Sequence, residues 1–222
     1  SIQLLRAELA LDESNQRLMD IIAHEIARLN TIITDFLAYA RPRPLQYDEV
    51  DIHKLIAGTL HLLCKGLPEG SAVTVRTEFV SMVPPIAVDP QGLRQVIWNL
   101  CLNAVEAMHY QGTLSVRTAL QSQLNQPYRG NTQLLTAAPE LIIDVLDTGP
   151  GMPLEVKEKI FEPFYSTKDG GTGLGLATVD RIIYNHKGKI EVNSQLGHGT
   201  TMRIHLPLLS IIAGMASIPG GE

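Results

Sequence analysis

Two asparagines inside an apolar segment are the first residues of this chain whose types and spacing could do chemistry. Asn99 and Asn103 lie four positions apart, so on a helix their amide oxygens share one face. Amide oxygens suit a hard cation such as Mg²⁺ that is also shared with phosphates. An asparagine on a helix is more often simply exposed to solvent, but a polar side chain in such an apolar run needs a partner. The pair is therefore a candidate metal site.

A carboxylate and two glycines follow a second apolar segment. Asp147 ends residues 141–147, which we predict to be a strand, and Gly149 and Gly151 come directly after it. A carboxylate at a strand end can accept a hydrogen bond from the amino group of adenine, and glycine lets a flat base approach the backbone. An ordinary Asp-Thr-Gly turn is an equally good interpretation of these residues taken in isolation.

A second glycine-rich segment runs directly into a predicted helix. Glycine amides and the positive end of a helix dipole face an anion in such an arrangement, so the segment predicts a phosphate site. It is not a P-loop, because no Gly-Lys-Ser/Thr ends it, and it does not follow the first strand of a βαβ unit as a dinucleotide motif does. Its residues are Gly171, Thr172, Gly173, Leu174 and Gly175.

Residues 152–170 connect the carboxylate to the second glycine run. Their position predicts a lid over a bound nucleotide. Lys168 could reach a phosphate, and Phe161 and Phe164 could anchor the lid on the domain. A surface lysine and two core phenylalanines explain these three residues equally well.

The elements that must position these residues can be read from hydrophobic periodicity and from caps. Asp89 is a predicted N-cap and Pro90 stands at the first helical position, where proline is tolerated. The predicted helices are 51–64, 90–108 and 174–186, and the predicted strands are 73–79, 113–118, 141–147, 189–193 and 200–206. This order predicts an α+β fold, a two-layer α/β sandwich in which one mixed sheet is faced by about three helices.

A long helix precedes the sandwich. Residues 14–41 carry apolar positions at alternating steps of three and four, which is the seam of a coiled coil or helical bundle. A shorter helical piece, residues 1–9, comes before it and predicts a helical hairpin. We therefore divide the chain into a partial hairpin (1–44), a nucleotide-binding domain (45–208) and a poorly ordered tail (209–222).

Composition narrows the classes of function. The chain has 222 residues and a net charge of −5, and no cluster of Lys and Arg indicates a nucleic-acid partner. Cys64 and Cys101 lie far apart in apolar helical patterns, which indicates two buried thiols in a reducing compartment rather than a disulfide or a metal site. No apolar run reaches the roughly 18–20 residues of a membrane span and no signal peptide opens the chain. We expect a cytoplasmic chain, which could belong to a membrane-bound parent.

Taken together, the segments resemble the ATP-binding domain of bacterial two-component sensor histidine kinases. Residues 99–107 look like the N box, 147–151 the G1 box, 161–164 the F box and 171–176 the G2 box, with 197–201 in the closing hairpin. The likeness covers nearly the whole chain to about residue 208. It implies the GHKL, or Bergerat, ATP-binding fold with ATP and Mg²⁺ as cofactors, and the polar segment before residue 141 resembles nitrogen-regulation and pilus-type sensor kinases.

The resemblance also implies roles for single residues. Asn103 holds Mg²⁺ with Asn99 in support, and Asp147 reads adenine. The second glycine run, extended to Leu176, binds the phosphates, and Thr201 of the closing hairpin belongs to the ATP-binding set.

Asn99 bears on the reaction type. ATPases of the same superfamily, including type II topoisomerases and mismatch-repair proteins, carry a glutamate one turn before the metal-binding asparagine to activate water. Asn99 stands at that position here, which favours transfer to a protein acceptor over hydrolysis. A GHKL-type ATPase and a nucleotide-bound dimerisation or docking module without activity in isolation are the alternatives.

His24 imitates the start of the family's H box but departs from it. No proline follows His24 and Glu25, and residues 14–41 resemble the second bundle helix, whereas the family's acceptor is on the first. A zinc motif His-Glu-x-x-His fails because Arg28 stands at the second histidine position. We therefore predict that the phosphoacceptor is not His24 but a histidine upstream of Ser1. The partners implied are this acceptor helix, a response regulator receiver domain and a second copy of the chain through the bundle.

Overall fold

The computed structural model describes residues 13–40, 44–121, 139–168 and 170–208. The predicted helical piece 1–9, most of the polar segment before residue 139 and the tail 209–222 lie outside these ranges. The helices are α1 (Glu13–Ala40), α2 (Ile52–Lys65), α3 (Pro90–Ala107), α4 (Leu154–Lys157) and α5 (Gly175–Asn185). The strands are β1 (Asp48–Val50), β2 (Ala72–Glu78), β3 (Ile86–Val88), β4 (Gln111–Gln121), β5 (Glu140–Asp147), β6 (Lys189–Ser194) and β7 (Thr200–Pro207).

The main sheet is mixed and has five strands in the order β2-β4-β5-β7-β6. Strands β2 and β4 are parallel, and every other neighbouring pair is antiparallel. A separate two-stranded sheet pairs β1 with β3. The hydrophobic core joins α2, α3 and α5 to one face of the main sheet. The predicted two-layer sandwich with three facing helices is confirmed. Of the two cysteines predicted to be buried, Cys101 is buried, whereas Cys64 near the end of α2 is exposed.

Helix α3 lies at the centre of the helical layer. Asp89 caps it as predicted, since its carboxylate accepts a hydrogen bond from Gln91 N at 3.1 Å, and Pro90 occupies the first turn. Val96 and Ile97 are fully buried on its inner face, and complete burial of such a side chain stabilises the fold by about 1.5–3 kcal/mol. The stripe that borders this buried face is therefore held in a fixed position, and Asn103, seven residues after Val96, lies on it.

The C-terminal end of α5 is tied to the start of α3 by a buried histidine. His186 is 5% exposed and its Nε2 accepts a hydrogen bond from Asp89 N at 3.0 Å. Its Nδ1 lies 2.7 Å from Ile182 O, so the ring is held with the proton on Nδ1. The relative positions of α3 and α5, which carry two of the predicted motifs, are therefore fixed.

The apolar seam of α1 lies open in the single chain. Its side chains are between 42% and 54% exposed at Ile22, Ile26, Leu29, Ile33 and Phe36. Such a stripe on an isolated helix requires a second helical surface to cover it. Across the described ranges, no helix has both the length and the apolar character needed to cross a membrane.

Candidate nucleotide-binding site

One stripe of α3 contacts three of the predicted motifs. Asn99, Asn103 and Ala107 follow one another at intervals of four residues and so lie on one face of the helix. Their partners are Gly175 at the start of α5 (Asn99 Nδ2 to Gly175 O, 3.3 Å), Lys168 of the lid (Nζ to Asn103 Oδ1, 2.8 Å) and Gly149, whose Cβ position would lie 3.5 Å from Ala107 O. The helix is therefore the common support of the metal, phosphate and adenine candidates.

Asp147 is held at the end of the central strand β5 with one carboxylate oxygen engaged. Its Oδ1 accepts hydrogen bonds from Gly149 N at 2.8 Å and from Thr200 N at 3.2 Å. Burial raises the pKa of this carboxyl, and the two backbone hydrogen bonds oppose that rise. Because both bonds use Oδ1, Oδ2 is the oxygen that can accept a hydrogen bond from a ligand.

Two glycines let the closing hairpin approach this carboxylate. A Cβ on Gly151, which has φ +68°, would lie 2.0 Å from Gln195 O, and a Cβ on Gly199, with φ +78°, would lie 2.1 Å from Asp147 O. Both positions require glycine, because a side chain would meet backbone well inside contact distance. The backbone that approaches Gly151 is therefore the protein's own hairpin rather than the edge of a base.

In the closing hairpin it is Thr200, rather than the predicted Thr201, that contacts Asp147. Thr200 lies opposite Asp147 in the β5–β7 register, and Thr201 points to the other face of the sheet because side chains alternate along a strand. Ser194 braces this corner, since its Oγ accepts from Met152 N at 2.9 Å and lies 2.9 Å from Thr200 Oγ1. Sequence reasoning missed Thr200 and Ser194, although the alternation along β7 distinguishes the two threonines.

The three glycines of the second run play different structural parts. A Cβ on Gly171 would lie 2.3 Å from Ser166 Oγ, and one on Gly173, with φ +65°, would lie 2.4 Å from the Phe164 carbonyl carbon. A Cβ on Gly175 would meet only Asn99 Nδ2, at 4.0 Å. Gly173 is therefore required by the lid backbone, whereas Gly171 packs against a side-chain hydroxyl. Gly175 is the glycine that borders space open to a phosphate.

The backbone of this run, rather than its side chains, is available to an anion. Leu174 is 1% exposed and Leu176 packs against the core, while Thr172 Oγ1 accepts a hydrogen bond from Leu174 N at 3.3 Å. The amide of Thr178 bonds back to Leu174 O, and the amides before it open the first turn of α5, where a helix has no backbone acceptors of its own. These amides can face phosphate oxygens.

The two lid phenylalanines differ. Phe161 packs against the hydrophobic core, as expected both for a residue that anchors the lid and for an ordinary core phenylalanine. Phe164 is 64% exposed and adopts φ +67°, with its amide donating to Gly173 O at 3.0 Å. Both interpretations are wrong for Phe164, because the packing of its backbone against Gly173, not of its ring, closes this corner.

The oxygens of α3 fit a cation. The Lys168 ammonium lies 2.8 Å from Asn103 Oδ1 and 2.5 Å from Glu106 Oε2, so two oxygens one turn apart converge on one positive centre. Oxygen donors of this kind suit Mg²⁺, which keeps several waters and shares phosphate oxygens. In the described ranges, no group of three or more His, Cys, Asp or Glu side chains is placed to hold a metal ion.

The fold and the site define an ATP-binding sandwich of the GHKL type. A family model described as Histidine kinase-, DNA gyrase B-, and HSP90-like ATPase matches residues 88–210. This match covers more than half of the chain, and the chain belongs to this family.

Sensor kinases are among its curated relatives. It is 33% identical over 211 residues to the signal transduction histidine-protein kinase AtoS of Escherichia coli, covering 93% of this chain and 31% of AtoS. It is 34% identical over 202 residues to the sensory histidine kinase/phosphatase NtrB of Rhodobacter capsulatus, covering 90% of this chain and 55% of NtrB. The chain thus spans between about a third and about half of the length of these two relatives.

Solved structures of histidine kinases share its fold. Full-length ShkA in complex with AMPPNP superposes with a TM-score of 0.70 at 24% identity, over 90% of this chain and 40% of ShkA. Histidine kinase ThkA in complex with the response regulator protein TrrA superposes with a TM-score of 0.68 at 25% identity, over 93% of this chain and 55% of that one.

Proposed function

We propose that this chain is the kinase core of a sensor histidine kinase, which binds Mg-ATP and transfers its γ-phosphoryl group to a histidine of the helical bundle. The observation that carries the proposal is the stripe of α3 that contacts the second glycine run, the lid and the segment after Asp147. Family membership and the named histidine kinase relatives support the same reaction class.

In this proposal the nucleotide lies along α3. Asp147 Oδ2 accepts a hydrogen bond from the adenine amino group, and the amides beside Gly175 face the phosphates. Asn103 Oδ1 holds Mg²⁺, with Asn99 keeping the start of α5 beside it. When bound, Mg²⁺ would neutralise charge on the phosphates.

Transfer is favoured over hydrolysis because Asn99 cannot act as a base for water. In the transfer step, the bond between the γ-phosphorus and its bridging oxygen breaks, a bond from phosphorus to the acceptor imidazole nitrogen forms, and ADP leaves. The contribution of the protein is positioning and charge stabilisation by fixed amides, as expected for phosphoryl transfer.

The domain division and partners form part of the proposal. Residues 45–208 are the ATP-binding domain, and residues 1–44 belong to the dimerisation and phosphoacceptor bundle, whose exposed seam on α1 supports association with another helical surface. His24 lies on α1, the second helix of that bundle in this proposal, and is not the acceptor. A response regulator then receives the phosphoryl group. The complex of the structurally similar ThkA with the response regulator protein TrrA supports this part of the proposal.

Labelled ATP tests the proposal. We expect this chain, incubated with Mg²⁺ and γ-labelled ATP, to stay unlabelled at His24, and an added bundle fragment bearing the upstream H-box histidine of the parent protein to acquire acid-labile label. Steady release of phosphate from ATP, well above that in the same mixture without the protein, would indicate an ATPase instead. Label mapped to His24 would overturn the assignment of α1.

A further inference from the structure

Lys168 occupies the same oxygens that the proposed metal site requires. Its Nζ lies 2.8 Å from Asn103 Oδ1 and 2.5 Å from Glu106 Oε2, with side-chain exposures of 41% for Lys168 and 33% for Glu106. Glu106 is one turn away from Asn103, toward the C-terminal end of α3. The ammonium is thus bound between an amide oxygen and a carboxylate oxygen on one helix face.

A compact turn delivers Lys168 to this place. Its amide donates to Ser166 Oγ at 3.1 Å, the Ser166 hydroxyl donates to Lys168 O at 3.3 Å, and Gly171 N donates to the same carbonyl at 3.1 Å. A Cβ on Gly171 would press on Ser166 Oγ at 2.3 Å. The turn therefore joins the second glycine run to the ammonium and, through it, to α3.

We propose that Lys168 and a divalent cation exclude each other from the oxygens of Asn103 and Glu106, so that metal binding releases the lid from α3. An ammonium and a metal ion cannot both occupy the space between these two oxygens, and like charges a few ångströms apart also disfavour one another. A partly exposed ion pair is weak, so a hydrated metal can replace it. The released ammonium is then free to meet a phosphate oxygen.

This inference deepens the proposed function, since it assigns Glu106 a place beside the metal and assigns Lys168 a second position. Amide exchange in the lid should therefore respond to the metal even in the absence of nucleotide. Glu106 and Lys168 should also affect metal affinity in opposite directions, because one supplies a ligand and the other a competitor.

Amide hydrogen exchange of residues 158–168 tests the tether in the whole chain without nucleotide. We expect MgCl₂ to raise exchange of this segment about 3–5-fold in the wild type, the effect of losing one weak ion pair. Lys168→Met should show the raised exchange already without metal and should not respond to MgCl₂. Lys159→Met, which changes an exposed lysine of the same segment, should behave like the wild type.

Metal affinity gives an independent readout. By Mn²⁺ titration followed by electron paramagnetic resonance, we expect Lys168→Met to bind about 3–10-fold tighter than the wild type and Glu106→Gln to bind weaker. Equal affinities in all three, or lid exchange in the wild type that ignores Mg²⁺, would overturn the inference. Failure of the chain to bind Mg-ATP would instead refute the proposed function, while the metal-free comparison of wild type with Lys168→Met still measures the tether.

Discussion

Asp147→Asn is expected to lose most ATP binding while the fold stays intact. The carboxylate keeps Oδ1 on two backbone amides and offers Oδ2 to the adenine amino group. An asparagine can preserve the first two bonds but presents an NH₂ group to a donor on the base. Loss of a charged hydrogen bond and an unmatched donor together correspond to about 2–4 kcal/mol, or roughly 30–1,000-fold in Kd by isothermal titration calorimetry.

A control lies on the same strand. Asp144 points to the outer face of the sheet, where its two carboxylate oxygens accept hydrogen bonds from Arg203 at 2.7 Å and 2.8 Å. Asp144→Asn should therefore leave ATP affinity unchanged, at a cost in stability of about 1–3 kcal/mol. Equal ATP affinity in wild type and Asp147→Asn would remove Asp147 from the site.

The pKa of Asp147 predicts how the same variant affects stability. Burial raises this carboxyl pKa, so its stabilising contribution is fully present below the unfolded pKa of roughly 3.9 and is lost as pH rises through the folded pKa. At neutral pH the ionised carboxylate opposes folding, and Asp147→Asn should unfold at the same or a higher urea concentration than the wild type. This advantage should disappear as the pH falls below the folded pKa.

Gly199→Ala should be the most damaging small change in the closing hairpin. The new methyl carbon would lie 2.1 Å from Asp147 O and 3.2 Å from Thr148 Cα, and φ +78° is itself strained for alanine. Relief requires the β5–β7 corner to open, which removes Thr200 N from Asp147 as well. We expect a loss of about 3–5 kcal/mol in the free energy of unfolding by urea titration, together with loss of ATP binding.

Gly197 provides a control, because it has the backbone conformation of Gly199 without the steric clash. It has the same φ of +78° but nothing within 4 Å of a Cβ. Gly197→Ala should therefore cost only about 1–2 kcal/mol, the ordinary penalty of a left-handed alanine. If the two substitutions destabilise the protein equally, the close approach of Gly199 to Asp147 is not what this position requires.

Much of the fold could be predicted from local signals. The cap at Asp89, the long apolar faces of α3 and α5 and the alternating strands β5 and β7 all have strong periodicity, so their existence follows from short-range physics. The three-residue strands β1 and β3 were missed because so few residues establish no period. The parallel pairing of β2 with β4 was also beyond reach, since it depends on how α3 crosses over the sheet.

The candidate site likewise has features that local spacing predicts and features that depend on tertiary contacts. Spacing of four on a helix was enough to predict that Asn99 and Asn103 share a face, and the structure shows what Ala107 and Glu106 of the same segment contact. The separate parts of Gly171, Gly173 and Gly175 depend on which backbone lies opposite each of them, which a glycine pattern does not encode. The same holds for Lys168, because its contact with α3 joins residues more than sixty positions apart.

A crystal structure of this chain grown with Mg²⁺ and AMPPNP tests the central claim most directly. We expect adenine with its amino group on Asp147 Oδ2, Mg²⁺ on Asn103 Oδ1, phosphates beside the start of α5, and Lys168 displaced from Glu106. A nucleotide bound elsewhere, or bound with Asp147 and Asn103 both outside contact distance, would contradict it.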